Sequence, residues 1–101
     1  MQYGVFSQFT VELDDGDSEE SLYWLADTKV ESLVQMHRYI MYRAVGLIPL
    51  DARRTMDEAL QRAVDSEDIS KGFNVAGVTY YVREVTQEEL VNLNQISLSL
   101  M

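Results

Sequence analysis

Leu22-Tyr23-Trp24-Leu25-Ala26-Asp27-Thr28-Lys29-Val30-Glu31 is the stretch on which the fold turns. An apolar, aromatic run leads straight into a Thr-x-x-Glu spacing. That spacing is a capping box: the threonine oxygen accepts from a backbone N–H three residues on, and the glutamate reaches back. If a helix starts at Thr28, the run before it must be something else, and aromatic residues in a short run suit a strand. The alternative is a helix over residues 18–26, capped by Asp17 and Glu20. The box at Thr28 favours the strand.

Upstream, residues 3–13 alternate. Tyr3, Val5, Phe9, Val11 and Leu13 share one face with Ser7, and Gly4, Phe6, Gln8, Thr10 and Glu12 share the other. Period two predicts a half-buried strand. Asp14-Asp15-Gly16-Asp17 is turn chemistry, so the first two strands form a hairpin.

Downstream, the spacing predicts a helix over 28–45. Met36, Ile40, Leu33, Ala44, His37, Val30, Met41, Val34 and Val45 fill one half-circle of its wheel. Arg38, Glu31, Tyr42, Gln35, Tyr39, Ser32 and Arg43 fall on the other. Gly46 suits the left-handed residue beyond a helix end, and Pro49 blocks continuation. A second capping box, Thr55 and Glu58, predicts a helix over 55–65 with a narrow stripe of Met56, Ala59, Leu60 and Ala63. Residues 69–85 read as a second hairpin. Its turn is Ala76-Gly77, or a longer one, because alanine is an unusual partner for glycine there. A third box, Thr86 and Glu89, opens a helix over 87–94, and the alternating tail from Ile96 to Met101 reads as a fifth strand. The expected order is β-β-α-α-β-β-α-β. This is a single α+β domain over residues 1–101, with an antiparallel sheet packed against two or three helices.

The 101 residues carry 17 acids, 8 bases and one histidine, a net charge of −9. Apolar and charged fractions of 47% and 25% are those of a folded domain rather than an acidic disordered tail. The charge is uneven: residues 1–28 contribute −7, residues 29–85 sum to zero, and the remainder adds −2. With no cysteine, disulfides, thiolate nucleophiles and thiolate zinc sites are excluded. No apolar run has the length of a membrane span, and the N-terminus lacks the pattern of a signal peptide. A cytoplasmic protein without membrane contact is therefore expected.

Catalytic signals are thin. His37 is the one histidine, and a general base needs a nucleophile or second acid within reach, which no motif supplies. Its structural alternative is a hydrogen-bonded core histidine, and that is preferred. The serines lack a nucleophile elbow, and the glycines form no phosphate loop. Asp14, Asp15, Asp17, Glu19 and Glu20 are dense enough for calcium, but the EF-hand spacing is missing. No metal, cofactor or catalytic residue is assigned. Arg53, Arg54 and Arg62 are balanced by Asp51, Asp57 and Glu58, so direct nucleic-acid binding is not expected.

What remains is recognition. The acidic turn suits docking to a basic partner, against the plainer reading of a solvated loop. Trp24, Tyr39 and Tyr42 are candidate anchors, the two tyrosines lying with arginines on the polar half of the first helix. The expectation is a non-catalytic interaction domain, a small acidic inhibitor or adaptor binding a basic surface of a protein. Immunity proteins, antitoxin-like inhibitors and virus-encoded blockers have this size and charge, a likeness of composition only. The alternative is a homo-oligomeric assembly subunit, a homodimer through the C-terminal strand or an exposed helix face. A small enzyme using His37 ranks last.

Overall fold

The computed structural model describes residues 2–9 and 20–92. The elements run β1 (Gln2–Phe9), β2 (Glu20–Ala26), α1 (Lys29–Ala44), α2 (Leu50–Ser66), β3 (Phe73–Val75) and β4 (Val78–Val85), and residues 87–92 are again helical. The strands form one antiparallel sheet in the order β2-β1-β4-β3. The α+β class and the antiparallel sheet are as the sequence predicts. Residues 18–19, the acidic turn and the tail strand lie outside the described residues. The described part of the disputed segment, Glu20–Ala26, is strand.

Thr28 caps α1, its Oγ1 accepting from the Glu31 N–H at 3.1 Å. The box at residue 86 closes in both directions: Glu89 N–H donates to Thr86 Oγ1 at 3.1 Å, and Thr86 N–H donates to Glu89 Oε1 at 3.2 Å. The box at Thr55 is overturned. Helix α2 begins at Leu50 behind Pro49, and the Thr55 hydroxyl donates to the Asp51 carbonyl inside the helix. Proline's fixed φ presets a first helical turn, so the residue that stops one helix starts the next.

One face of the sheet packs on α1. Leu33, Met36 and Ile40 meet Val5, Val75, Tyr80 and Val82, with Leu60 and Ala63 of α2 completing the core. The buried arc of α1 is rotated from the predicted one: Ser32 is buried and Val30 and Val45 are exposed. Ser32 tolerates this because its hydroxyl donates to the Lys29 carbonyl at 2.7 Å. Ala76 and Gly77 both hold positive φ, 50° and 85°, directly between the paired Val75 and Val78. The short two-residue turn forms despite the alanine.

The strand β1 is central and is buried on both faces, not half-buried. Phe6, on the face opposite α1, is 4% exposed. It stacks on Tyr81 at 5.8 Å and carries the Arg83 guanidinium 4.0 Å above its ring. Gly4 makes room for that ring.

Candidate functional site

The predicted site residues separate into three groups. Asp14, Asp15, Asp17 and Glu19 lie outside the described residues, in the connection between β1 and β2. The described residues on either side of them are Phe9 and Glu20. Phe9 is exposed and pairs with Val78 beside the β3–β4 turn. A cavity of about 200 Å³ brings Gln8, Phe9 and Val78 together with Arg43 from the last turn of α1. Phe9, the last described residue before the acidic connection, therefore lies at the pole where α1 ends.

That pole is apolar and unusually open. Tyr42 is 86% exposed, and Val45, Leu47 and Leu50 are exposed around the turn that follows it. Pro49 and Gly46, with φ 85°, fix a tight reversal there, so these side chains ride on a rigid corner. Fixed aromatic and aliphatic side chains lose little entropy when covered by a partner.

Trp24 and Tyr39 are half-exposed along the other edge of α1. The register of β1 with β2 slips between Val5 and Phe6, because Val5 faces Trp24 while Phe6 faces Leu22. Tyr23 is the extra residue of this bulge. Its ring tilts against Tyr39 at 4.7 Å and Tyr80 at 6.2 Å, and its hydroxyl accepts from buried Ser7 Oγ at 2.9 Å. Burial raises the Tyr80 phenol above its ordinary pKa. Tyr39 is thus part of a packed tyrosine cluster, while Tyr42, three residues on, is not.

Glu20 departs from the other acids. Arg83 grips it with two donors, Nη2 to Oε1 at 2.6 Å and Nε to Oε2 at 3.2 Å, and the Tyr81 hydroxyl donates to the same carboxylate. Arg83 holds Glu89 equally, at 2.7 and 3.1 Å. The guanidinium lowers the Glu20 carboxyl below its usual range and brings Glu89 to about 2, with the Thr86 N–H assisting. Burial and then the Glu20 contact push Tyr81 up to about 12. Glu20 is therefore a structural anchor, and its charge is already compensated within the fold. Neither Glu20 nor Arg83 advertises this partner in sequence, since they stand far apart. Only the register that sets Arg83 opposite Gly4 brings them to one face.

His37 is only partly buried, at the rim between the helices. Its Nε2 lies 2.6 Å from Asp57 Oδ1 of α2, so it is hydrogen-bonded but sits at the rim and not in the core as expected. Among the described residues no serine, threonine or second acid joins this pair in the hydrogen bonds formed, and no group of three metal-binding side chains converges. No helix among the described residues is long and apolar enough to cross a membrane. No protein-family model, curated protein or solved structure matches the chain.

Proposed function

We propose that this chain is a non-catalytic protein-interaction domain, a small acidic inhibitor or adaptor of the cytoplasm that binds a basic surface of a partner protein. The observation that supports this reading is that Phe9, after which the sequence runs into Asp14, Asp15, Asp17 and Glu19, lies near Arg43 at the end of α1, while Tyr42, Val45, Leu47 and Leu50 are exposed in and after that same helix end. Long-range attraction from the acids raises the rate of encounter, and Tyr42 with its aliphatic neighbours supplies contact area. Trp24 and Tyr39 extend the contact along α1. Glu20 takes no part, being held by Arg83.

The test is association kinetics against the captured partner at several salt concentrations. Replacing Asp14, Asp15 and Asp17 together by Asn slows association and flattens its salt dependence, leaving the unfolding midpoint unchanged. Kinetics equal to wild type would remove the acidic connection from the mechanism. A second reading, a homo-oligomeric subunit, rests on β2, which among the described residues is an edge strand and leaves Tyr23, Trp24 and Leu25 partly exposed. A salt-resistant dimer in light scattering at micromolar concentration would favour it over the inhibitor.

A further inference from the structure

We propose that the cleft between α1 and the first half of α2 binds a small organic anion, a carboxylate or phosphate monoester carried on an apolar body. The cleft has a volume of about 400 Å³, within the range of small-molecule sites. Three guanidiniums line it, from Arg38, Arg53 and Arg54. The chain has 17 acids for 8 bases, yet among the described residues none of these three lies within ion-pair distance of a carboxylate. Arg83, by contrast, holds two carboxylates at once. Asp57, one of the acids that balance Arg53 and Arg54 in sequence, shares the cleft with them but stands beyond ion-pair distance.

The Arg53 Nε is more telling than the charge. That atom is withdrawn from solvent, although the side chain as a whole is only half-buried, and among the described residues it has no hydrogen-bond acceptor. A buried charged donor without an acceptor is costly, and folded proteins satisfy such groups almost without exception. Among the described residues the lining contains one carboxylate, Asp57, and it accepts from His37. That contact also ties α1 to α2 at the cleft, holding the arginines around a preformed space. An acceptor from outside completes the site. Planar guanidinium forks match the paired oxygens of a carboxylate or phosphate.

The rest of the lining sets the class of ligand. Met41 and exposed Leu50 give the cleft an apolar wall. A bare inorganic anion leaves that wall wet, and a neutral apolar molecule leaves the three guanidiniums without a counter-charge. An anionic head on an apolar body meets both demands. This reading is independent of the protein-docking pole, since it needs neither the acidic connection nor Tyr42.

The experiment is a two-dimensional NMR titration of the isotopically labelled chain with phenyl phosphate, phenylacetate, inorganic phosphate and benzyl alcohol. At least one aromatic anion moves the resonances of residues 37–41 and 50–57, and binds at least about tenfold more tightly than inorganic phosphate or benzyl alcohol. Arg53→Met weakens that ligand by about tenfold or more, whereas Arg62→Met, outside the cleft, leaves it within about twofold. If Arg53→Met loses the dispersed spectrum of a folded chain, Arg54→Met on the exposed rim serves as the same test. The assignment is overturned if neither aromatic anion perturbs those residues at millimolar concentration, if benzyl alcohol binds equally well, or if the folded arginine variants bind like wild type.

Discussion

Replacing Gly4 by alanine tests the packing of the sheet face that α1 leaves uncovered. In an ordinary strand the change is neutral or helpful, since alanine restricts the unfolded chain and gains about 0.4–1 kcal/mol where the backbone tolerates it. Gly4 does not hold a left-handed φ, so the backbone raises no objection. The side chains do. A Cβ at this position would lie 2.6 Å from Phe6 Cε2, 2.9 Å from Phe6 Cζ and 2.8 Å from Leu22 Cδ1. The leucine methyl can swing away. The phenylalanine ring is pinned between Tyr81 and the Arg83 guanidinium, which is itself clamped by two glutamates. Overpacking of this kind costs about 1–3 kcal/mol, so the net loss is about 0.5–2 kcal/mol. In a domain of this size that lowers the midpoint of thermal unfolding by roughly 3–15 °C. Urea unfolding followed by circular dichroism measures it directly, with an unchanged slope showing that the transition itself is intact. In a Phe6→Leu background the penalty should shrink to less than about 0.5 kcal/mol, because the clashing atoms are gone. Wild-type stability for Gly4→Ala, or an undiminished penalty in the double variant, would refute the account of Phe6 as an immobile ring.

Other perturbations probe other layers. Ile40→Ala, at a fully buried position facing the sheet, is expected to cost about 2–5 kcal/mol in urea unfolding. Below about 0.5 kcal/mol the placement of α1 is wrong. Glu20 and Glu89 have depressed pKa values when folded, so the stability they lend is present above the ordinary carboxylate value of 4.5 and is lost as pH falls toward 2. Acid unfolding curves of a Glu20→Gln, Glu89→Gln variant should be flatter than wild type across that window; parallel curves would contradict the clamp. Ala76→Asn, at φ 50° in the β3–β4 turn, should stabilise by about 0.5–1 kcal/mol, since asparagine accepts the left-handed region more readily. A loss of stability there would point to a different turn. Tyr23→Phe leaves the buried Ser7 hydroxyl without its acceptor and should cost about 1 kcal/mol, read in the same unfolding assay.

Local signals in this sequence were legible where the physics is local. The caps at Thr28 and Thr86, the alternation through β1 and β4, and the narrow stripe of α2 all depend on neighbours within one or two turns. The misleading one was Thr55. A Thr-x-x-Glu spacing inside a helix looks the same as one at its start, and only Pro49 upstream distinguishes them. Long-range features had no such mark. Nothing near Phe6 in sequence announces that Arg83 will sit on its ring, and nothing near Arg53 shows that its Nε will lack an acceptor among the described residues. Of the candidate site, Tyr42 was readable from the helical wheel alone. Glu20 was not, because its role is set by the pairing of β1 with both β2 and β4.

The central pairing has a consequence for how the chain is made. Strand β1 is flanked by β4, so Gln2 meets Val85 and Phe9 meets Val78. Strand β1 is made well before β4 and waits for almost all of the described chain before its second neighbour exists. Contacts that span such a length make closure slow, while the α1–α2 pair can fold as soon as it emerges. Until β4 arrives, the β1 edge that later pairs with it is an open template beside an apolar strand, the kind of surface that chaperones hold and that aggregation exploits. Refolding from urea should therefore be limited by formation of the β1–β4 ladder, and slowing translation after residue 66 lengthens the time for which that edge stands open.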